Sequence, residues 1–243
     1  MKTRTAVTWN IFGGQQLDGV VALLKELNAD YIALQEVLQE TDGTGNQAQT
    51  IAELLGMHMV YAPAHVLTPG GSYVLDYFGI SRPMDWGNAI LSVHPILAHR
   101  VHHLSEDHHR IALEATISVD GANCSVFSTH LVGGHSESLD ALRLAQAREL
   151  VSQVPANRAL VMGDFNANAQ SDVFMALSTV LTSSEPDPRR VPTRKGEQID
   201  YIFTTPDFRV QSTEMPRSSA SDHFPLVAKF SVEPVVFISH KVR

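Results

Sequence analysis

The sequence predicts an α/β fold in which mixed sheets carry helices on their outer faces. Three observations lead there. Short apolar runs recur along the whole chain, as buried strands require. Helical segments fall between those runs. No repeat, low-complexity tract or long linker divides the 243 residues. With 44% hydrophobic and 18% charged residues, the chain is not a largely disordered one. A domain of this length buries ~70–75% of its unfolded surface, so it needs no covalent staple. One domain over residues 1–243 is expected.

In chain order, strands are expected at Ala6–Asn10, Tyr31–Gln35, Ala89–Ser92, Ile111–Val119, Cys124–Thr129, Ala159–Met162, Ile199–Thr204 and Leu226–Val232. Asp120-Gly121 joins two of these as a hairpin turn. Helices are expected at Asp18–Leu27, Gln47–Leu55, Leu139–Val151 and Asp172–Val180, with Asp18 and Asn46 where N-caps belong. Leu139, Leu142, Gln146 and Leu150 recur three or four apart and form one mostly apolar stripe. Surface loops follow from Gly and Pro at Glu40 to Asn46, Thr68 to Asp85 and Ser183 to Gly196.

Charge and cysteine content narrow the function classes. The formal charge of −8 disfavours a protein that binds nucleic acid or anionic membranes electrostatically. It leaves room for a phosphate substrate, because bound divalent metal supplies positive charge locally. A single cysteine, Cys124, excludes an internal disulfide framework and fits a reducing compartment. The N-terminus lacks the apolar core of a signal peptide, and no run approaches ~20 apolar residues. A cytoplasmic, monomeric protein without a membrane span is expected.

Several apolar strands end in a polar residue: Asn10, Glu36, His130 and Asp164. A carboxylate that follows a buried strand is costly unless paired, hydrogen-bonded or metal-bound. One such residue is ordinary; four suggest a shared rim. In Asp164-Phe165-Asn166 an extended backbone would point the acid and the amide to one side; taken alone, the tripeptide reads as an Asx-rich turn. Asp222-His223 sits in an irregular loop before Pro225. Asp200 lies in an otherwise apolar strand, where it could fix the tautomer of His223 and favour its cationic form; its plainer reading is an ion pair with a basic residue.

At this point seven motifs, in order, resemble the endonuclease/exonuclease/phosphatase superfamily. They are Thr8-Trp9-Asn10, Leu34-Gln35-Glu36, Gly87-Asn88-Ala89-Ile90-Leu91-Ser92, Ser128-Thr129-His130-Leu131, Gly163-Asp164-Phe165-Asn166-Ala167, Ile199-Asp200-Tyr201-Ile202 and Ser221-Asp222-His223. The group includes deoxyribonuclease I, AP endonucleases, neutral sphingomyelinases and inositol-polyphosphate 5-phosphatases, and the resemblance covers residues 5–232. It implies a four-layer α/β/β/α sandwich of two mixed, mainly antiparallel sheets, with the site at one end. It also implies roles. Glu36 would ligate Mg²⁺ or Mn²⁺, with Asn10 close by and Asp222 completing or supporting the metal site. Asp164 would orient and deprotonate water, and Asn166 would hold that water or a phosphoryl oxygen. His223, backed by Asp200, would stabilise phosphoryl charge, and His130 would assist the phosphate or leaving group. Arg110 would contact phosphate, and Asn88 would line the site. Oxygen ligands of this kind select Mg²⁺ or Mn²⁺ over zinc.

Two departures stand out. Phe12 replaces the aspartate of a Trp-Asn-x-Asp pattern, which weakens a repair-endonuclease reading. The Trp-x-Gly-Asp-x-Asn-x-Arg signature of inositol 5-phosphatases is also missing. Other residues invite functional readings without carrying them. His94, His99, His102, His103, His108 and His109 lack cysteine partners and a common helical face, so a polar or pH-sensitive surface is preferred to a zinc site. Arg189, Arg190, Arg194 and Lys195 read as a solvated loop, Cys124 as a core thiol, and Trp9 and Phe165 as packing that aims their neighbours.

The expected function is a divalent-metal-dependent phosphoesterase that hydrolyses a phosphodiester by in-line attack of water. A small-molecule or lipid-derived substrate is favoured over nucleic acid, because duplex affinity rests on Lys and Arg contacts to phosphate. The alternatives are a nuclease acting on DNA or RNA, a non-catalytic binding module on the same fold, and a histidine-rich metal carrier.

Overall fold

The computed structural model describes residues 2–69, 78, 80–104, 109–185 and 196–233. Strands β1 (Arg4–Asn10), β2 (Tyr31–Glu40), β3 (His58–Leu67), β4 (Met84–Ser92), β11 (Phe208–Glu214) and β12 (Leu226–Val232) form one sheet in the order β11-β12-β1-β2-β4-β3. Strands β5 (Ile96–Leu104), β6 (Arg110–Val119), β7 (Ala122–His130), β8 (Ala159–Asp164), β9 (Thr182–Ser183) and β10 (Asp200–Thr204) form the second, in the order β5-β6-β7-β8-β10-β9. Pairs β1/β2 and β7/β8 are parallel and the other pairs antiparallel. Helices α1 (Leu17–Leu27) and α2 (Gln47–Leu55) cover the first sheet; α3 (Glu137–Gln153) and α4 (Asp172–Ser178) cover the second. The result is the four-layer sandwich that the resemblance implied. No described helix is long and apolar enough to cross a membrane.

The two-residue period of a strand explains how the layers fill. Ala6, Tyr31, Ala33, Ile90, Leu160 and Met162 point between the sheets. Their neighbours Val7, Ile32, Leu34, Ala89 and Leu91 pack against α1 and α2. Ala159, Val161 and Phe203 pack beneath α3 and α4. Each interior strand is thus buried on both faces, which is why it reads as an unbroken apolar run. Each Val, Leu, Ile or Phe so buried contributes ~1.5–3 kcal/mol.

Local signals behave unevenly. Asn46 caps α2 by accepting from the Gln49 amide, and Gly56 (φ 66°) ends that helix in the left-handed region. Asp18 is not a cap; Gln16 holds that position without a side-chain bond, and Asp18 lies in the first turn, where the helix dipole favours an acid. Ser136 caps α3, whose buried face carries Arg143, Gln146, Ala147 and Leu150 rather than Leu139 and Leu142. The Arg143 guanidinium donates to the carbonyls of Val132 and Gly134 at 2.6 Å, and Gln146 accepts from the Val132 amide at 2.9 Å. These two side chains fix the loop that follows β7. Asp120 (φ 52°) and Gly121 (φ 82°) make the hairpin turn between β6 and β7.

Most of the proline-rich third loop, including Pro186, Pro188, Arg189, Arg190, Pro192, Arg194 and Lys195, lies outside the described residues, as does half of the second. His108 does too. The described histidines of that series scatter. His94 meets Arg4, His102 pairs with Glu114 at 2.9 Å, and His109 stacks on His65 at 4.8 Å. Cys124 is buried, and burial pushes its thiol up to about 12, which leaves it an inert core residue at neutral pH.

The sheets approach closely near the rim that bears the site. There Gln35 accepts from Thr8 (3.4 Å) and donates to Ser128 (3.2 Å), whose hydroxyl donates to the Leu34 carbonyl. Gly87 serves a tight contact in the same region: a Cβ there would lie 2.0 Å from the Ala62 carbonyl oxygen of β3. Gly87→Ala should therefore push β3 away from β4 and cost about 1–3 kcal/mol, as overpacking does. Urea denaturation monitored by circular dichroism measures this, and an unchanged midpoint would show that the edge strand yields freely.

Candidate functional site

The site forms because strand ends from both sheets reach one rim. β1 delivers Asn10, β7 His130, β8 Asp164 and the start of β10 Asp200, which pairs in register with Asp164. β6 begins with Arg110. The loop before β12 brings Asp222 and His223, and it is held from below. Trp9 Nε1 donates to the His223 carbonyl (3.0 Å), and the Ser221 hydroxyl donates to the Asn10 carbonyl (2.7 Å). Trp9 therefore packs and aims its neighbours, and it also anchors a loop from the far end of the chain.

Glu36 arrives differently. It sits within β2 where the register with β4 shifts between Leu34 and Val37, and its φ is 56°. A bulge of this kind turns one side chain out of the alternation. Without it, Glu36 would occupy an ordinary strand position; with it, the carboxylate reaches the rim. A non-glycine residue held at positive φ marks a constrained position of the sort that clusters at functional sites.

Asp164 is the hub. Its Oδ2 accepts from Asn10 Nδ2 at 3.1 Å and lies 3.4 Å from His130 Nε2 and 3.7 Å from His223 Nε2. Its Oδ1 accepts from the Asn166 backbone amide at 2.9 Å. That last bond corrects the extended reading of Asp164-Phe165-Asn166. The strand stops at Asp164, Asn166 has φ 49°, and the pair forms an Asx turn. The Asn166 side-chain nitrogen bonds the Leu131 carbonyl and faces His130 Nε2, both at 3.0 Å. Gly163 lets β8 lie tight on β7, since a Cβ there would come within 2.1 Å of the Thr129 carbonyl oxygen.

The charges divide. His223 Nδ1 meets Asp200 Oδ2 at 2.8 Å, and both residues are fully buried. Burial drives the His223 ring towards neutrality, but Asp200, then Asp164 and Asp222, outweigh it and carry the ring up to about 9. Burial pushes the Glu36 carboxyl up to about 7 despite the Asn10 amide and His223, with Asp164 and Asp222 adding to the rise. Burial brings Arg110 down to about 10, opposed by Glu36 and Asp164, so its guanidinium stays charged at neutral pH.

Glu36, Arg110, His130, Asp164, Asn166, Asp222 and His223 line one cavity of about 550 Å³. Asn10 and Asp200 stand behind it, each bonded to a lining residue. Asn88 does not line it. Its amide is 2% exposed and donates across the sheets to the Ile111 and Ser128 carbonyls, so the expected site-lining position is an inter-sheet tie. Sequence reasoning left out further residues that line the cavity: Phe12, Phe78, Trp86, Leu139, Gly133 and Gly134. Phe12 was visible as a departure from a motif. Phe78 and Leu139 carry no local signal, because the fold alone brings them here.

The residues fit a hard divalent cation. Glu36 Oε2 is buried and meets no hydrogen-bond partner among the described residues, and the carboxylates of Asp164 and Asp222 are close enough to act on it, a set of hard oxygen ligands. Asp164, Asp200 and His223 also bring potential ligand atoms within 4.8 Å of one another. In that trio, however, His223 Nδ1 is already engaged by Asp200.

No curated protein matches the chain in sequence. A Beutenbergia cavernae endonuclease/exonuclease/phosphatase structure superposes with TM-score 0.80 at 22% identity, over 96% of this chain and 72% of that one. The human Nocturnin catalytic domain with bound sulfate gives TM-score 0.78 at 20% identity, over 95% and 94%. ANGEL2, a 2',3'-cyclic phosphatase in complex with adenosine-2',3'-vanadate, gives 0.73 at 15%, over 96% of each chain. At these identities the likeness concerns the fold. The model of the Endonuclease/Exonuclease/phosphatase family matches residues 7–223, and the chain belongs to that family.

Proposed function

We propose that the protein is a divalent-metal-dependent phosphoesterase that hydrolyses a small organic phosphodiester by in-line attack of water. One observation carries the reading: Glu36, Asp164, His130 and His223 converge on one cavity, and a buried Asp200 keeps His223 cationic. Glu36 would hold Mg²⁺ or Mn²⁺, with Asn10 and Asp222 beside it. The bound cation supplies Lewis-acid charge neutralisation and a template for the phosphate.

The chain's own groups do the rest. Asp164 Oδ2 accepts the proton of the attacking water, as a general base within hydrogen-bonding reach of the cavity. Asn10, donating to both Glu36 (3.0 Å) and Asp164, sets the spacing of the two carboxylates. His223 Nε2 donates to a phosphoryl oxygen on which charge builds. His130, steadied by Asn166, faces the phosphate or the leaving oxygen. Arg110 adds a permanent positive charge to a cavity whose described lining includes the acids Glu36, Asp164 and Asp222.

The cavity's size and the chain's formal charge of −8 support a small substrate over a duplex. A panel of lipid, nucleotide and nucleic-acid phosphoesters, run with Mn²⁺ and with EDTA, tests this. Hydrolysis of small diesters that EDTA abolishes is expected. Plasmid nicking that exceeds small-diester turnover and vanishes in an Asp164→Ala control would replace this reading with a nuclease. Absence of turnover on the whole panel would favour a binding module.

A further inference from the structure

The cavity that holds the catalytic carboxylates is also lined by a wall of aromatic side chains. Phe12 and Phe78 meet edge to face, with ring centroids 5.3 Å apart. Phe78 packs in one apolar cluster with Trp86. Arg110, the one Lys or Arg among the described lining residues, lies 4.6 Å above the Trp86 ring. Phe12 and Phe78 are half-buried, so part of each ring stays open to the cavity, whereas Trp86 is nearly covered.

The backbone holds this wall in place. Phe12 has φ 54°, which a bulky L residue adopts only under constraint. The constraint is its own amide, which donates to Asn10 Oδ1 at 3.0 Å, the same Asn10 whose nitrogen meets Glu36 and Asp164. Gly13 follows at φ 62°, and a Cβ on it would come 2.7 Å from the Phe78 ring. Phe78 therefore rests on bare backbone. The wall is pre-formed and tied to the catalytic floor through two residues of chain.

We propose that Phe12, Phe78 and Trp86 form a subsite for a planar ring on the group esterified to the phosphate, and that Phe12 sets the preference for it. This rests on the phosphoesterase reading and narrows its substrate class. The chemistry favours a ring over an alkyl chain. Aromatic pairs gain from face and edge geometry beyond the area they bury, and a flat guanidinium over Trp86 extends the same surface. A cavity of about 550 Å³ admits a phosphate with one ring-bearing group. The ring's source is a nucleobase or another aryl group, and the test separates the two.

Four non-hydrolysable or slowly hydrolysed ligands serve as probes in the presence of Mg²⁺: phenylphosphonate, ethylphosphonate, octylphosphonate and adenosine 5′-phosphorothioate. Calorimetry gives affinities, and a change in tryptophan fluorescence that is lost in Trp86→Phe, which leaves Trp9 alone, reports contact with the wall. Wild type should bind at least one of the ring-bearing ligands about 5- to 100-fold more tightly than both alkyl ligands, the range that base–aromatic stacking gives. An advantage confined to the nucleotide identifies a nucleobase; one shared by phenylphosphonate identifies a ring next to phosphorus. Phe12→Ala should abolish the advantage, and Phe12→Leu, apolar but not planar, should not restore it. Both variants keep the backbone amide that meets Asn10, so Mg²⁺ affinity and the melting temperature should stay near wild type.

Octylphosphonate binding as tightly as the better ring ligand, or a preference that survives in Phe12→Ala, overturns the subsite. If small diesters are hydrolysed but ring and alkyl ligands bind alike, the subsite fails alone. If nothing is hydrolysed and no probe binds, the phosphoesterase reading fails with it.

Discussion

Asp164→Asn should lower kcat by about 10²–10⁴-fold, the usual worth of general-base assistance, while Mn²⁺ affinity stays within a few-fold of wild type. The expectation follows from what surrounds that side chain. Asp164 Oδ2 faces Asn10, His130 and His223, and Oδ1 accepts the Asn166 amide. An amide in its place can keep part of this network but cannot accept a proton from water. Glu36→Gln should behave in the opposite way. Its Oε2 is buried and has no hydrogen-bond partner among the described residues, so loss of its charge should weaken metal binding, and excess Mn²⁺ should recover part of the rate. Manganese titrations of activity, with metal affinity measured separately by calorimetry, distinguish the two. Rescue of Asp164→Asn by metal, together with a Glu36→Gln enzyme that metal does not help, would reverse the assignment.

The contrast between these carboxylates also shows what the sequence made legible. Asp164 closes an apolar strand and could be read as a residue emerging at a rim. Glu36 follows an apolar strand as well, but its orientation depends on a bulge with a left-handed residue, and no turn residue announces that bulge. The same physics governs the strands. Among the described residues, the eight expected strands are those flanked by a neighbour on each side, and the four not expected, β3, β5, β9 and β11, are the sheet edges. Edge strands are blunted with polar residues and proline, as in His58–Leu67 with Pro63 and Ile96–Leu104 with His99, His102 and His103, so their apolar signal is weak. β2 and β4 likewise extend beyond their expected spans.

The cavity's aromatic wall was illegible for another reason. Its members come from the turn after β1, from residue 78 and from β4, and nothing local to any of them says that they meet. Arg143 and Gln146 are a third case. Polar residues on the buried face of α3 look like errors in an amphipathic pattern until the loop after β7 supplies carbonyls and an amide for them.

Asp200→Asn should give the largest change in how stability depends on pH. In the folded protein the His223 ring stands at about 9, against an ordinary ~6.5 in the unfolded chain. A raised pKa means that the folded state holds the proton more tightly. Its contribution to stability is therefore complete below about pH 6.5 and is lost as pH rises through about 9, amounting to roughly 3 kcal/mol across that window. Asp200 is the main group that opposes burial of the charge, through a 2.8 Å bond between two buried side chains. With a neutral amide in its place, burial should win and the ring should become neutral near pH 7. The variant should thus be less stable than wild type at pH 6, and the gap should narrow towards pH 9.5. Glu36 also titrates in the folded protein, at about 7, and loss of the His223 charge would push it further up. The difference between variant and wild type at each pH therefore carries a Glu36 part beside the His223 one, read out separately with Glu36→Gln as the background. Urea denaturation in EDTA from pH 6 to 9.5 supplies it. Activity should fall too, because a neutral ring donates a weaker hydrogen bond to a charged phosphoryl oxygen. If the two stability curves run parallel over this range, Asp200 does not hold the His223 charge, and the stabilisation of phosphoryl oxygens must be assigned to Arg110 instead.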